Sequence, residues 1–191
     1  MKVGLVRHFE AECHIPSIFS LMTPGQFHQW LDAYEISDIK AGKVDPSALI
    51  WEKCYSSDLP RALKTAQKIH PGPIIETKAL RELVLCPPTN RNIKLPVLLW
   101  LILGRIAWML AHKSQVESKL MLEERVTYIL EELILKDDKD VLIVSHGFLM
   151  MFLRKELLKR GFKGPSFRKA ANGKIYVFEK DTTPAGRQTS I

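Results

Sequence analysis

Carboxylates are the scarce charge in this sequence: 21 Asp plus Glu stand against 28 Lys plus Arg, a formal net charge of +7. That deficit disfavours basic partners and favours anionic ones, whether phosphorylated metabolites, nucleic acid or acidic lipid. Cysteine is scarcer still. Cys13, Cys54 and Cys86 are odd in number, far apart and without a C-x-x-C pair. This argues against a disulfide framework and for a reducing, cytoplasmic setting. No long apolar run opens the chain, because Arg7, His8 and Glu10 interrupt it, so a signal peptide is not expected. The longest apolar stretch, "LPVLLWLILGRIAWMLA" at 95–111, has 17 residues broken by Pro96, Gly104 and Arg105, short of a transmembrane span. Repeats and low-complexity linkers are also missing, and 191 residues with 46% hydrophobic content suit one domain with a sizeable core.

What is present alternates between strand and helix. "KVGLVR" (2–7), "KCYSS" (53–57), "PIIET" (73–77), "KDVLIVSHG" (139–147) and "GKIYVFEK" (173–180) read as strands. "VLIV" is continuous, β-branched and apolar, as in a central strand covered on both faces. Helices are expected after Thr23–Pro24, after a Ser57 or Asp58 cap with Pro60 in the first turn, over 117–137, and from Gly147 to a stop at Gly161. The third has Leu122, Val126, Ile129, Leu130 and Leu133 as its apolar stripe. The pattern predicts a three-layer α/β/α sandwich with a mostly parallel central sheet. The basic run "FLRKELLKRGFKGPSFRK" is read as a solvated helix face and loop, and no nucleic-acid partner is expected. A frayed polar tail is expected at about 181–191.

Ligands of open α/β sheets bind beyond the C-terminal ends of the strands. There the first strand would deliver Arg7 and His8, and the second Ser56, Ser57 and, one turn on, Arg61. Arg81 and Glu82 follow the third strand, and Ser145, His146 and Gly147 end "VLIVS". Arginine forks and helix N-termini on one rim suit phosphoryl oxygens.

"LVRHFE", "YSSDLPRALKTA", "LRE" and "VLIVSHG", in that order, resemble the histidine phosphatase superfamily, over about residues 1–85 and 117–178. The resemblance implies a metal- and cofactor-independent phosphomonoesterase acting on a small phosphate ester. His8 would attack phosphorus. Arg7, Arg61 and His146 would hold the equatorial oxygens, with Ser57 and Gly147 as further phosphate contacts. Glu82 would protonate the leaving group and then activate water. The alternatives are a phosphoglycerate-mutase-type phosphotransferase and a catalytically silent phospho-ligand binder docked to a membrane surface. Two positions depart from the family pattern: Phe9 stands where a glycine is usual and Ala11 where a threonine is usual. Phe9 is expected to line or narrow the pocket. His14 stands near a usual asparagine and is read as a surface histidine; Cys13–His14 with His8 matches no standard zinc spacing. The segment at about 86–116 falls where the family inserts a substrate lid. It offers Trp100, Arg105 and Trp108, with core packing and membrane docking as the other readings of the stretch. Oligomeric state leaves no signal in the sequence.

Overall fold

The computed structural model describes residues 1–40, 42 and 51–180; the tail expected to fray at 181–191 lies outside the described residues. In chain order the elements are β1 (Lys2–Arg7), β2 (Ala11–Glu12), β3 (Leu21–Met22), α1 (Pro24–Glu35), β4 (Asp38–Ile39), β5 (Lys53–Ser57), α2 (Pro60–Ile69) and β6 (Ile74–Thr77). There follow β7 (Leu95–Pro96), α3 (Val97–Met109), α4 (Lys119–Tyr128), β8 (Val141–Ser145), α5 (Gly147–Lys159) and β9 (Ile175–Glu179). The central sheet has the order β6-β5-β8-β1-β9, parallel throughout except for the antiparallel edge strand β9.

The period of two in the strands sorts side chains into two layers. Val3, Leu5, Tyr55, Val141 and Ile143 pack toward α4 and α5, whereas Val6, Cys54, Leu142 and Val144 pack toward α2. Gly4 faces the second layer because Trp51 lies across it: a Cβ there would come within 2.7 Å of the indole. The result is the three-layer α/β/α arrangement that the alternating pattern predicts. All three cysteines are free thiols.

Local sequence accounts for the helix ends. Thr23 and Gln26 form a reciprocal capping box at α1, followed by Pro24 in its first turn. Gly161, at φ +86°, ends α5, with the N–H groups of Gly161 and Phe162 donating to Leu158 and Leu157 at 3.1 Å. Two expectations need correction. The N-cap of α2 is Leu59, without a side-chain bond, rather than Ser57 or Asp58; Asp58 is instead clamped by Arg81 at 2.6 Å through both oxygens. The helix expected over 117–137 is α-helical to Tyr128 and π-helical over Ile129–Ile134. There the Leu135 N–H bonds the Leu130 carbonyl five residues back at 2.8 Å. The wider winding shifts the phase of the stripe, so Ile134 is buried where Leu133 was expected.

Candidate active site

Four parallel strands end at one edge of the sheet, and the side chains expected at that edge are found there. β1 runs directly into His8, whose N–H donates to the Ser145 carbonyl at 3.0 Å, tying it to the end of β8. The His8 and His146 rings lie 5.1 Å apart, centroid to centroid. Both are 1% exposed, as is Arg61.

A hydrogen bond to a carbonyl fixes the state of the His8 ring. His8 Nδ1 lies 2.6 Å from the Phe9 carbonyl, which can only accept, so Nδ1 carries the proton and Nε2 holds the free lone pair. Burial, together with the cations Arg61 and Arg7, lowers the His8 pKa to about 3. His146 is pushed well below its ordinary value by burial, then by Arg61, His8 and Arg7. Its Nε2 lies 2.9 Å from Ser57 Oγ, and that oxygen accepts the Leu59 N–H at 3.3 Å. The Ser57 hydroxyl keeps its own proton and a second lone pair, so it can donate to Nε2 or accept from it; His146 Nδ1 is buried and has no partner among the described residues.

Two charged side chains are held by helix ends of opposite polarity. Arg61 donates through Nη1 to the carbonyls of Tyr34 and Glu35 at 3.0 and 2.7 Å, where α1 ends, and lies over the Tyr34 ring at 4.7 Å. Burial lowers its pKa. Both Glu82 oxygens accept from the first turn of α5, from the Phe148 N–H at 2.9 Å and the Leu149 N–H at 3.1 Å. The helix N-terminus expected to face a phosphate is thus occupied by Glu82. Arg7 donates through Nη1 to the Ala170 carbonyl at 3.1 Å, and its Nε is unpartnered. Gly147 leaves space for that guanidinium: a Cβ there would lie 3.3 Å from Arg7 Nε.

Glu82 borders two cavities. One of about 180 Å³ is lined by Tyr34, Arg61, Glu82, Arg105 and Phe148, with leucines; the other, about 220 Å³, by Arg7, Glu82, Gly147, Phe148 and Arg168. Seven buried side-chain nitrogens lack a partner among the described residues, and four belong to this cluster: Arg7 Nε, Arg61 Nε, His146 Nδ1 and Arg105 Nη1. Buried donors are normally satisfied, so their concentration here marks a place for an acceptor-rich anion. No group of three or more His, Cys, Asp or Glu side chains suited to a metal ion occurs among the described residues.

The lid candidates divide. Arg105 lies over the Phe148 ring at 3.7 Å and lines the smaller cavity. Trp100 is fully buried against Phe27 and donates to the Met22 carbonyl at 2.8 Å, while Trp108 packs on Phe148 and Phe152. Both tryptophans are core. Phe9, expected in the pocket, is buried on the α2 side with Ile39, Trp51 and Ala62. A Cβ on Gly173 would come within 2.5 Å of its ring, so a glycine opposite makes room for it. His14 is exposed.

Three further residues position these groups through backbone contacts. The Asn172 amide donates to the His8 carbonyl at 2.7 Å, and the Gly173 N–H to the Arg7 carbonyl at 2.8 Å, bracing the corner after β1. Thr65 accepts the Phe9 N–H at 2.9 Å and donates to the Arg61 carbonyl at 2.7 Å. Of the three, only Thr65 falls within a stretch that carries the family resemblance, "YSSDLPRALKTA".

The family model for the histidine phosphatase superfamily (branch 1) matches residues 43–185, and the chain belongs to that superfamily. The match begins downstream of Arg7 and His8. Solved structures share the fold. A mycobacterial hydrolase superposes with a TM-score of 0.60 at 18% identity, over 97% of this chain and 92% of its own. A mycobacterial glucosyl-3-phosphoglycerate phosphatase gives 0.53 at 20% identity, over 83% and 79%. A phosphoserine phosphatase variant from Entamoeba histolytica, in complex with phosphoserine, gives 0.52 at 16% identity, over 92% and 89%. No curated protein matches.

Proposed function

We propose that this protein is a metal-independent phosphomonoesterase that hydrolyses a small phosphorylated metabolite through a phosphohistidine at His8. The observation that carries the reading is a neutral ring with its Nε2 lone pair free, beside unpartnered donors on Arg7, Arg61 and His146. A nucleophile at phosphorus needs that lone pair, and the equatorial oxygens need those donors as charge redistributes.

In the first half-reaction His8 Nε2 attacks phosphorus, and the ester P–O bond breaks. The leaving alkoxide takes a proton from the Glu82 carboxyl. In the second, water attacks the phosphohistidine, the N–P bond breaks, and Glu82 takes the proton of that water as inorganic phosphate departs. The three backbone N–H groups that Glu82 accepts, from Leu83, Phe148 and Leu149, fix the carboxylate in place and leave one of its roughly four acceptor sites open. Ser57 acts through His146: when its hydroxyl donates to Nε2, the His146 proton is held on Nδ1. Gly147 acts through Arg7. The names of the structural neighbours, phosphatases of glucosyl-3-phosphoglycerate and phosphoserine, support a small phosphorylated substrate.

Turnover of an aryl phosphate in the presence of EDTA tests this reading. Steady release of phosphate is expected. Its absence, or its replacement by primer-dependent isomerisation of a phosphorylated acid, would contradict hydrolysis as the reaction.

A further inference from the structure

The outer face of α3 takes no part in the chemistry above. α3 is apolar on nearly all sides, and such a helix is normally enclosed. Here only the inner face is covered, by burial of Val97, Trp100, Gly104, Ala107 and Trp108. On the solvent side Leu98, Ile102, Ile106 and Met109 follow helical spacing with Leu99 alongside, Met109 being 66% exposed. The chain before α1 widens this face. The Val97 and Leu98 N–H groups donate to the carbonyls of Ser20 and Ile18 at 3.0 and 2.9 Å, and Leu21 pairs with Pro96. Ile18, Phe19 and Leu21 therefore flank the first turn, and Phe19 is 74% exposed. A 13-residue helix is about 20 Å long, so the stripe is larger than the scattered apolar exposure of an ordinary surface.

Charge identifies the cover. Residues 86–116 contain Arg91, Lys94, Arg105 and Lys113 and no carboxylate, and residues 13–31 contain no carboxylate either. Arg105 lines the cavity, whereas Arg91 and Lys94 are exposed before α3 and Lys113 after it. None of these three forms an ion pair among the described residues, although Lys40, Lys64 and Lys119 do.

We propose that this face is a docking surface for an anionic lipid bilayer. α3 lies in the interfacial plane, Phe19 enters the acyl boundary, and Arg91, Lys94 and Lys113 meet the headgroups. Two copies face to face would oppose like charges with no carboxylate on either stripe to pair them. Anionic headgroups neutralise them. Among the described residues no helix is long and apolar enough to cross a membrane, and α3 falls short of a hydrocarbon core about 30 Å thick, so the helix lies on the bilayer rather than through it.

Flotation of the full chain with phosphatidylcholine vesicles, with and without phosphatidylserine, tests the proposal independently of any enzymatic activity. Binding is expected to the phosphatidylserine vesicles, weakening as salt rises. Lys94→Gln with Lys113→Gln should lower partitioning roughly twenty-five-fold, at about five-fold per cation near an anionic surface. Phe19→Ser with Ile102→Asn should remove it, with the melting temperature of both double variants unchanged. Three results would overturn the proposal: no binding to phosphatidylserine vesicles, equal binding by the lysine double variant, or a lipid-free dimer that Phe19→Ser with Ile102→Asn dissociates.

Discussion

Arg61 shows how one side chain serves both fold and site. Its Nη1 is spent on the carbonyls that end α1, and its Nε remains for a ligand. Arg61→Ala should reduce kcat/KM for an aryl phosphate by about 10²–10³, the usual worth of an oxyanion-type donor. Arg61→Lys should recover only part, lacking the planar fork. Unchanged turnover would reduce Arg61 to a tether for α1. His8 carries a second consequence. Its folded pKa of about 3 lies below the unfolded value near 6.5, so its contribution to stability is complete above pH 6.5 and is lost as pH falls toward 3. The loss is about 1.4 kcal/mol per pH unit, and His146 acts in the same direction. The melting temperature should fall between pH 6.5 and 4.5, less steeply in His8→Asn; a flat profile would contradict neutral buried rings. At Phe9, truncation to Ala should cost about 3–5 kcal/mol in denaturant unfolding, as for a fully packed core aromatic. A loss below about 1 kcal/mol would return the ring to the pocket.

Elements with strong periodicity were readable from the sequence. β1 and β5 run over Lys2–Arg7 and Lys53–Ser57, the ranges expected for them, and β8 covers Val141–Ser145 within the expected stretch, where the continuous apolar run "VLIV" leaves little choice of state. What escaped depends on contacts between distant residues. The π turn at Ile129–Ile134 looks like an ordinary helix in sequence. The burial of Phe9 depends on Gly42 and Gly173, far along the chain. The site's motif residues were legible, while Asn172 and the bracing role of Thr65, whose bonds reach backbone groups of distant residues, were not. Glu82 was expected as an acid and is also the N-terminal cap of α5. Glu82→Gln keeps one acceptor oxygen for that cap and replaces the other with an amide donor. It should slow alkyl phosphate hydrolysis by roughly 10² while sparing nitrophenyl phosphate, whose leaving group barely needs a proton. Equal losses on both would move the acid role elsewhere.

At the scale of the whole molecule, the parallel sheet collects groups from four strand ends onto one rim and buries the two histidines beneath it. α3 carries Arg105 to the cavity on one side and presents an uncovered apolar face on the other. The histidine phosphatase fold supplies the rim, and the proposed chemistry rests on one atom, His8 Nε2. Rapid quenching of the protein during turnover of a ³²P-labelled phosphomonoester tests that chemistry most directly. The account predicts a protein-bound label that is acid-labile and alkali-stable, maps to His8 and is absent from His8→Ala. An acid-stable label on serine, or turnover persisting in His8→Ala, would contradict it.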